Sequence, residues 1–174
     1  MVKWQETLTE WRHSLFPKLT TTSLIRHYIP IGGAISHTLH SAVVSSPKLL
    51  PRIFPLYDIA IENTLLFNSH VGAGLYVFFR PHLHKLNNWD RVEFIEFSVL
   101  ASVIFNFGSL LFVLLIKQHL PEKFGTAARS LIGAGVSMFL ISRSLKYLRH
   151  IDFRSNLSAI LNDSKSRLSV PLSS

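Results

Sequence analysis

Long runs without charged residues alternate with short charged segments along the chain, and these runs predict its helices. The clearest run is FSVLASVIFNFGSLLFVLLI, 20 uncharged residues between Glu96 and Lys117 in which Asn106 is the one strongly polar side chain. About 20 apolar residues in a helix cross the roughly 30 Å hydrocarbon core of a bilayer. The run therefore predicts a transmembrane helix over 96–117.

A more polar run lies near the start of the chain. Between Arg26 and Lys48 stand 21 uncharged residues, HYIPIGGAISHTLHSAVVSSP, which include Pro30 and two histidines. A helix of this composition crosses lipid only when its polar face is packed against other helices. With that condition, the run predicts a span over 27–47.

The segment 56–79 predicts a further span. Asp58 and Glu62 lie in its first turns, where the positive end of the helix dipole favours acidic residues. The stretch TLLFNSHVGAGLYVFF that follows carries no charge, and Arg80 and a proline end it.

The last candidate span covers 125–147. Its uncharged centre, between Arg129 and Arg143, is only 13 residues long. To cross a membrane, these arginines would have to extend their side chains toward the two interfaces. The alternative is a helix that is buried in the protein or lies at the membrane interface.

The distribution of positive charge decides between three and four spans. With four spans, both termini and the loop after the second span share one side of the membrane, and that side collects 13 of the 18 Lys and Arg residues. With three spans the bias is weaker and reversed. Because cytoplasmic or matrix loops carry the excess of positive charge, four spans are favoured, with both termini on the cytoplasmic or matrix side.

The segments outside the spans form a helical arm and a tail. Trp4, Leu8, Trp11 and Leu15 are spaced as one stripe of an amphipathic helix, which predicts an arm over 1–22 that lies on the membrane or on a partner. Residues 148–174 are rich in serine and predict a polar tail. The expected fold is an all-α integral membrane bundle over 23–147, with about four transmembrane helices and this N-terminal helix.

Composition excludes several classes of protein. The chain is 48% hydrophobic and 16% charged, with a net charge of +8, so it is too apolar to be disordered. Its basic residues are dispersed among loops without a nucleic-acid-binding motif, which argues against nucleic acid as a partner. There is no cysteine, no phosphate-binding loop and no metal-ligand spacing. We therefore expect no metal site, no catalytic residue and no autonomous catalytic activity.

Nine histidines in 174 residues are a high number, and three of the four that lie inside the predicted spans are candidate haem b ligands. His37 and His40 stand on roughly one face of the first span, and His70 lies deep in the second. Imidazoles from two helices can hold a haem iron between them. The alternative is that each histidine forms a hydrogen bond with a neighbouring helix.

The sequence DIAIENTLLFNSHVGAGLYVFF resembles the second span of the small cytochrome b membrane-anchor subunit of succinate dehydrogenase. In that family an aspartate begins the span and a pattern His-x-His-x-Gly-x-Gly follows; Asp58, His70, Gly72 and Gly74 match these positions. The segment SLIRHY is similar to the Ser-Leu-His-Trp that precedes the family's first span. The family's haem-ligand position corresponds to Asn68 here, and its Asp-Tyr pair corresponds to Phe79 and Arg80.

The resemblance implies a multi-pass subunit of the mitochondrial inner membrane, in respiratory complex II, that helps to form a ubiquinone site with Arg80 near a quinone carbonyl. Ubiquinone and haem b would be its cofactors, and the other subunits and phospholipids, cardiolipin above all, its partners. Two alternatives remain open. One is a non-catalytic accessory or assembly subunit of another respiratory complex. The other is a small transporter or channel, motivated by Asp58, Glu62 and Arg129.

Overall fold

The computed structural model of the chain describes residues 17–80, 88–121 and 123–168, and within these residues all regular structure is helical. The prediction of an all-α chain is confirmed. The predicted N-terminal amphipathic helix lies outside the described residues. The helices are α1 (Thr21–Ser23), α2 (Ile29–Ser45), α3 (Leu49–Ile53), α4 (Asp58–Phe78), α5 (Asn88–His119) and α6 (Thr126–Leu168).

A π-helical turn, Leu24–Tyr28, joins α1 to α2, so the chain is helical without a break from Thr21 to Ser45. Proline has no N–H, and its ring clashes with the carbonyl four residues before it in an α-helix. Pro30 would meet the carbonyl of Arg26 in this way. The wider turn, in which the Ile29 N–H donates to the Leu24 carbonyl, accommodates the proline.

Helices α2, α4, α5 and α6 pack side by side, and each runs antiparallel to the next along the chain. Helix α2 contacts the other three. Its contact with α4 is between backbones, since a Cβ atom added to Gly33 would lie 2.5 Å from the Cα atom of Gly72. On α6, a Cβ atom at Gly133 would lie 2.5 Å from the Ser41 carbonyl oxygen. Small residues thus let α2 approach both neighbours closely.

Two of the helices are long and apolar enough to cross a membrane, judged by length and composition: Val92–His119 within α5 and Thr126–Ser158 within α6. The sequence predicts the 125–147 span least clearly, but α6 continues without interruption to Leu168. The predicted tail is therefore helical over most of its length. Helices α2 and α4, at 17 and 21 residues, are shorter than these two segments of 28 and 33 residues.

The interior of the bundle is polar and its surface is apolar. Only four hydrophobic side chains are buried among the described residues, against twelve polar ones, nine of which are serines. Large apolar side chains are exposed on all four long helices, including Ile35, Phe67, Ile104 and Leu131 at 56–72% exposure. A water-soluble bundle has the opposite arrangement, because its apolar stripe faces the core. The observed arrangement is the one expected of helices surrounded by lipid.

Candidate functional site

A cavity of about 410 Å³ lies between the four long helices, at the end of the bundle where α2 begins and α4 ends. Most of its walls are apolar, formed by residues such as Ala73, Val77 and Ile141. Pockets of this size and character are the usual sites for small amphiphilic ligands in helix bundles. We take this cavity as the candidate functional site.

Polar side chains line the outer and inner parts of the cavity. Arg26 and His27, both from the π-helical turn, and Tyr76 from α4 line the outer part. The Arg26 guanidinium lies 5.1 Å from the ring centroid of Phe79. The inner part is lined by His37 and Ser69, in the interior of the bundle. The cavity therefore offers an apolar volume with hydrogen-bonding groups at both ends.

His37 connects three helices through its imidazole ring. Its Nε2 atom lies 2.6 Å from the Ser109 hydroxyl on α5, and its Nδ1 atom lies 2.6 Å from the Ser137 hydroxyl on α6. A neutral imidazole has one donor and one acceptor nitrogen, and a hydroxyl can complement either. His37 is only 2% exposed, so water does not reach its ring, and the two serine hydroxyls provide the hydrogen-bond partners of both ring nitrogens.

A second polar contact joins α4 to α5. The Ser69 hydroxyl donates to the side-chain oxygen of Asn106, whose amide group donates to the Ser102 carbonyl at 2.8 Å. The Ser102 hydroxyl in turn donates to the His70 carbonyl at 2.8 Å. Asn106 is fully buried, which explains how the most apolar span tolerates its one strongly polar residue.

The structure does not bring the three candidate haem ligands together on one cofactor site. Both ring nitrogens of His37 are engaged by serines, and His40 Nε2 lies 3.8 Å from a carboxylate oxygen of Glu62. His70 Nδ1 donates to the Leu66 carbonyl at 2.9 Å. A haem between α2 and α4 would also need space between these helices, and their backbones touch at Gly33 and Gly72. Ligation of haem b by these histidines therefore stays a prediction from the sequence.

The acidic residues and histidines that the structure describes do not form a metal site. No group of three or more His, Asp or Glu side chains in them is arranged to hold a metal ion. Asp58 accepts a hydrogen bond from the backbone N–H of Ile59, as expected at a helix start. Glu62, four residues on, faces His40 instead. The carboxylates that motivate a transporter therefore have local partners.

Arg80, the predicted quinone-binding residue, does not line the cavity. Its Nη1 atom forms an ion pair with Asp152 of α6 at 2.9 Å, and both side chains are only 13% exposed. Its Nη2 atom donates to the Tyr76 hydroxyl, and the guanidinium stacks 4.2 Å from the centre of that ring. Arg80 thus reaches the cavity only through Tyr76, which does line it.

Sequence reasoning missed Arg26, Tyr76 and Asp152. The sequence does contain a signal for Arg26, because Pro30 lies inside a predicted span and a proline disturbs the helical turn that begins four residues before it. A signal for the buried polar stripe was also available: Ser98, Ser102, Asn106 and Ser109 follow helical spacing in the 96–117 run. Asp152 lies in the segment that the sequence predicts as a polar tail, so nothing in the sequence pairs it with Arg80.

No protein-family model, no curated protein and no solved structure matches this chain. The functional argument therefore rests on the cavity, the bundle and the sequence pattern.

We expect His37→Leu to destabilise the bundle by about 1 to 3 kcal/mol, because two interhelical hydrogen bonds are lost and two buried hydroxyls keep no imidazole partner. The measurement is the temperature at which the protein aggregates in detergent-solubilised membranes. His119→Leu is the matched control, since His119 is exposed and its Nδ1 atom bonds to the Leu115 carbonyl of its own helix. Equal aggregation temperatures for the two variants would contradict the structural role of His37.

Proposed function

We propose that the chain is a four-span subunit of a mitochondrial inner-membrane respiratory complex, most specifically a divergent membrane anchor of succinate dehydrogenase whose cavity contributes to a ubiquinone site. The observation that carries the membrane part of the proposal is the inverted distribution of polar and apolar residues. It extends to α2 and α4, where Ile31, Ile35 and Leu39 on one helix and Ile59 and Phe67 on the other are exposed.

Charge supports the orientation. Arg26, at the mouth of the cavity, belongs to the 13 basic residues that a four-span topology gathers on one side. Arg80 belongs to the same set, and its partner Tyr76 lines the cavity. Under the positive-inside rule the cavity then opens toward the matrix.

The residues of the cavity fit a ubiquinone better than a water-soluble substrate. The apolar walls suit the isoprenoid tail, and Arg26 and Tyr76 are donors that suit a quinone carbonyl oxygen. The Tyr76 hydroxyl accepts a hydrogen bond from Arg80, which leaves its own hydrogen to donate. Bound quinone would supply the redox chemistry, with electrons from partner subunits. The chain's own residues bind and orient the head group and exclude water from it.

Two further features support the resemblance to the succinate dehydrogenase anchor. Gly72, part of the matching Gly-x-Gly pattern, is the residue through which α4 touches α2. A tyrosine and an aspartate also lie beside Arg80 at the end of α4, since Tyr76 of α4 and Asp152 of α6 both contact its guanidinium. They occupy other positions in the sequence than the family's Asp-Tyr pair.

The alternative is a non-catalytic accessory or assembly subunit of another respiratory complex. The observation that favours it is His37, because both of its ring nitrogens are used to hold helices together. Such a chain would stabilise its complex without contacting a redox cofactor. Under both functions, bound phospholipid, including cardiolipin, would cover the apolar surface of the chain.

Affinity purification of the tagged chain from its native membrane tests the proposal. After extraction in a mild detergent, mass spectrometry should identify flavin and iron–sulfur subunits of succinate dehydrogenase, and the sample should reduce a soluble quinone with succinate. Recovery of another respiratory complex without those subunits would overturn the specific proposal and leave the accessory role.

A cavity-filling variant adds a test of the site. Ala73→Phe places a phenyl ring in the cavity wall, so we expect about tenfold slower succinate-dependent quinone reduction while the complex still assembles. Ala127→Phe is the control, because Ala127 is exposed at the far end of α6. Unchanged quinone reduction by an assembled Ala73→Phe complex would remove the cavity from the quinone site.

A further inference from the structure

The middle of α6 carries a basic cluster on its outer surface, formed by Arg143, Lys146 and Arg149. All three side chains are exposed, and none of them forms an ion pair within the described part of the chain. In the sequence of residues 138–160 there is one carboxylate, Asp152, which is only 13% exposed and already belongs to an ion pair. The described residues therefore leave the positive charge of the basic cluster without a counter-charge.

The basic cluster lies at the height of phospholipid head groups if α6 crosses the membrane. From Thr126, where α6 begins, to Lys146 the helix rises by about 30 Å at 1.5 Å per residue. This length equals the hydrocarbon thickness of a bilayer. Tyr147, next to the cluster, is 65% exposed, and tyrosine is enriched at the membrane interface. The long side chains of the cluster can thus reach the phosphate groups of the lipids.

A groove on the same face of α6 leads from the apolar part of the helix to the basic cluster. This face, followed at spacings of three and four residues, contains Leu131, Gly135, Met138, Ser142, Lys146 and Arg149. Leu131 and Met138 are 72% and 61% exposed, whereas a Cβ atom added to Gly135 between them would have nothing within 4 Å. Large side chains on both sides of an exposed glycine leave a groove that an acyl chain can enter.

We propose that this face of α6 binds an anionic phospholipid, whose phosphate contacts the basic cluster and whose acyl chain lies in the groove over Gly135. Attraction to negatively charged lipid grows with each Lys or Arg near the membrane surface, so three such residues favour an anionic head group over a zwitterionic one. A transmembrane helix of another protein would need acidic residues at the same depth to pair with these charges. The site requires that α6 crosses the membrane, but it does not depend on a bound quinone or on the complex that contains the chain.

Quenching of a single tryptophan by brominated lipids tests the site in the full-length chain reconstituted into vesicles. The ring of Phe139 lies 5.1 Å from the Arg143 guanidinium, so Phe139→Trp places the reporter beside the basic cluster. The three natural tryptophans are replaced by phenylalanine. In mixed vesicles, we expect brominated phosphatidylglycerol to bind at the reporter about tenfold more tightly than brominated phosphatidylcholine.

Charge removal assigns the lipid preference to the basic cluster. Lys146→Gln with Arg149→Gln should reduce the tenfold preference to about one. The control is Lys48→Gln with Arg52→Gln, which removes the same charge from exposed residues elsewhere in the chain and should keep the preference. Equal quenching by the two lipids before charge removal, or a preference that survives the Lys146 and Arg149 substitutions, would overturn the proposal. Quenching by neither lipid would mean that another helix covers this face, which would also overturn it.

Discussion

Gly33→Leu should prevent the bundle from folding, whereas Gly32→Leu should be tolerated. A Cβ atom at Gly33 meets the Cα atom of Gly72 at 2.5 Å and the Asn68 carbonyl oxygen at 3.0 Å, and backbone atoms cannot move aside as a flexible side chain can. A Cβ atom at Gly32 has nothing within 4 Å. Helices α2 and α4 would have to separate, at a cost of at least about 4 kcal/mol.

The measurement is the amount of each variant in the membrane together with its aggregation temperature after solubilisation. The two positions are adjacent and the two substitutions are identical, so helix propensity and hydrophobicity are matched. Gly72→Leu should reproduce the Gly33 result from the other helix. If the Gly32 and Gly33 variants accumulate to the same level, α2 and α4 do not pack as described.

Arg80→Met should destabilise the protein by about 3 to 5 kcal/mol, because it leaves the largely buried Asp152 carboxylate without its guanidinium partner. Asp152→Leu should have an effect of similar size for the converse reason. The double variant should recover much of the loss, since replacing both members of a buried ion pair by apolar residues is often close to neutral.

Thermal aggregation of the single and double variants gives the interaction free energy between the two positions. Arg143→Met serves as the control, because Arg143 is exposed and its guanidinium lies 5.1 Å from the centroid of the Phe139 ring in its own helix. Losses that simply add in the double variant would show that Arg80 and Asp152 do not act as a pair.

The sequence predicts the helices well where apolar runs are long, and less well where tertiary contacts decide. The helix α5 contains the whole 96–117 run, and α4 begins and ends within two residues of the predicted 56–79 span. The extension of α6 to Leu168 could not be inferred from apolar content, because residues after Tyr147 are largely polar. The ion pair between Asp152 and Arg80 fixes the first part of this extension against the end of α4.

The candidate site was only partly predictable for a physical reason. Hydropathy identifies which residues avoid water, but it does not say which polar residues of different helices face each other. His37 stands out in the sequence, yet its partners Ser109 and Ser137 are 72 and 100 residues away. Serine is common in such helices, so neither partner carries a signal of its own. Their meeting depends on how closely the glycine contacts bring the helices together.

The central claim is that α2 and α4 cross the membrane in addition to α5 and α6, and the accessibility of Lys48 tests it most directly. In a four-span topology Lys48 lies on the opposite side from Lys18, whereas two spans leave both on the same side. Single variants Lys18→Cys and Lys48→Cys in this cysteine-free chain can be labelled in sealed native membranes with an impermeant thiol reagent. We predict that the two cysteines react from opposite sides, with Lys123→Cys on the Lys48 side. Labelling of both Lys18→Cys and Lys48→Cys from one side would contradict the four-span bundle.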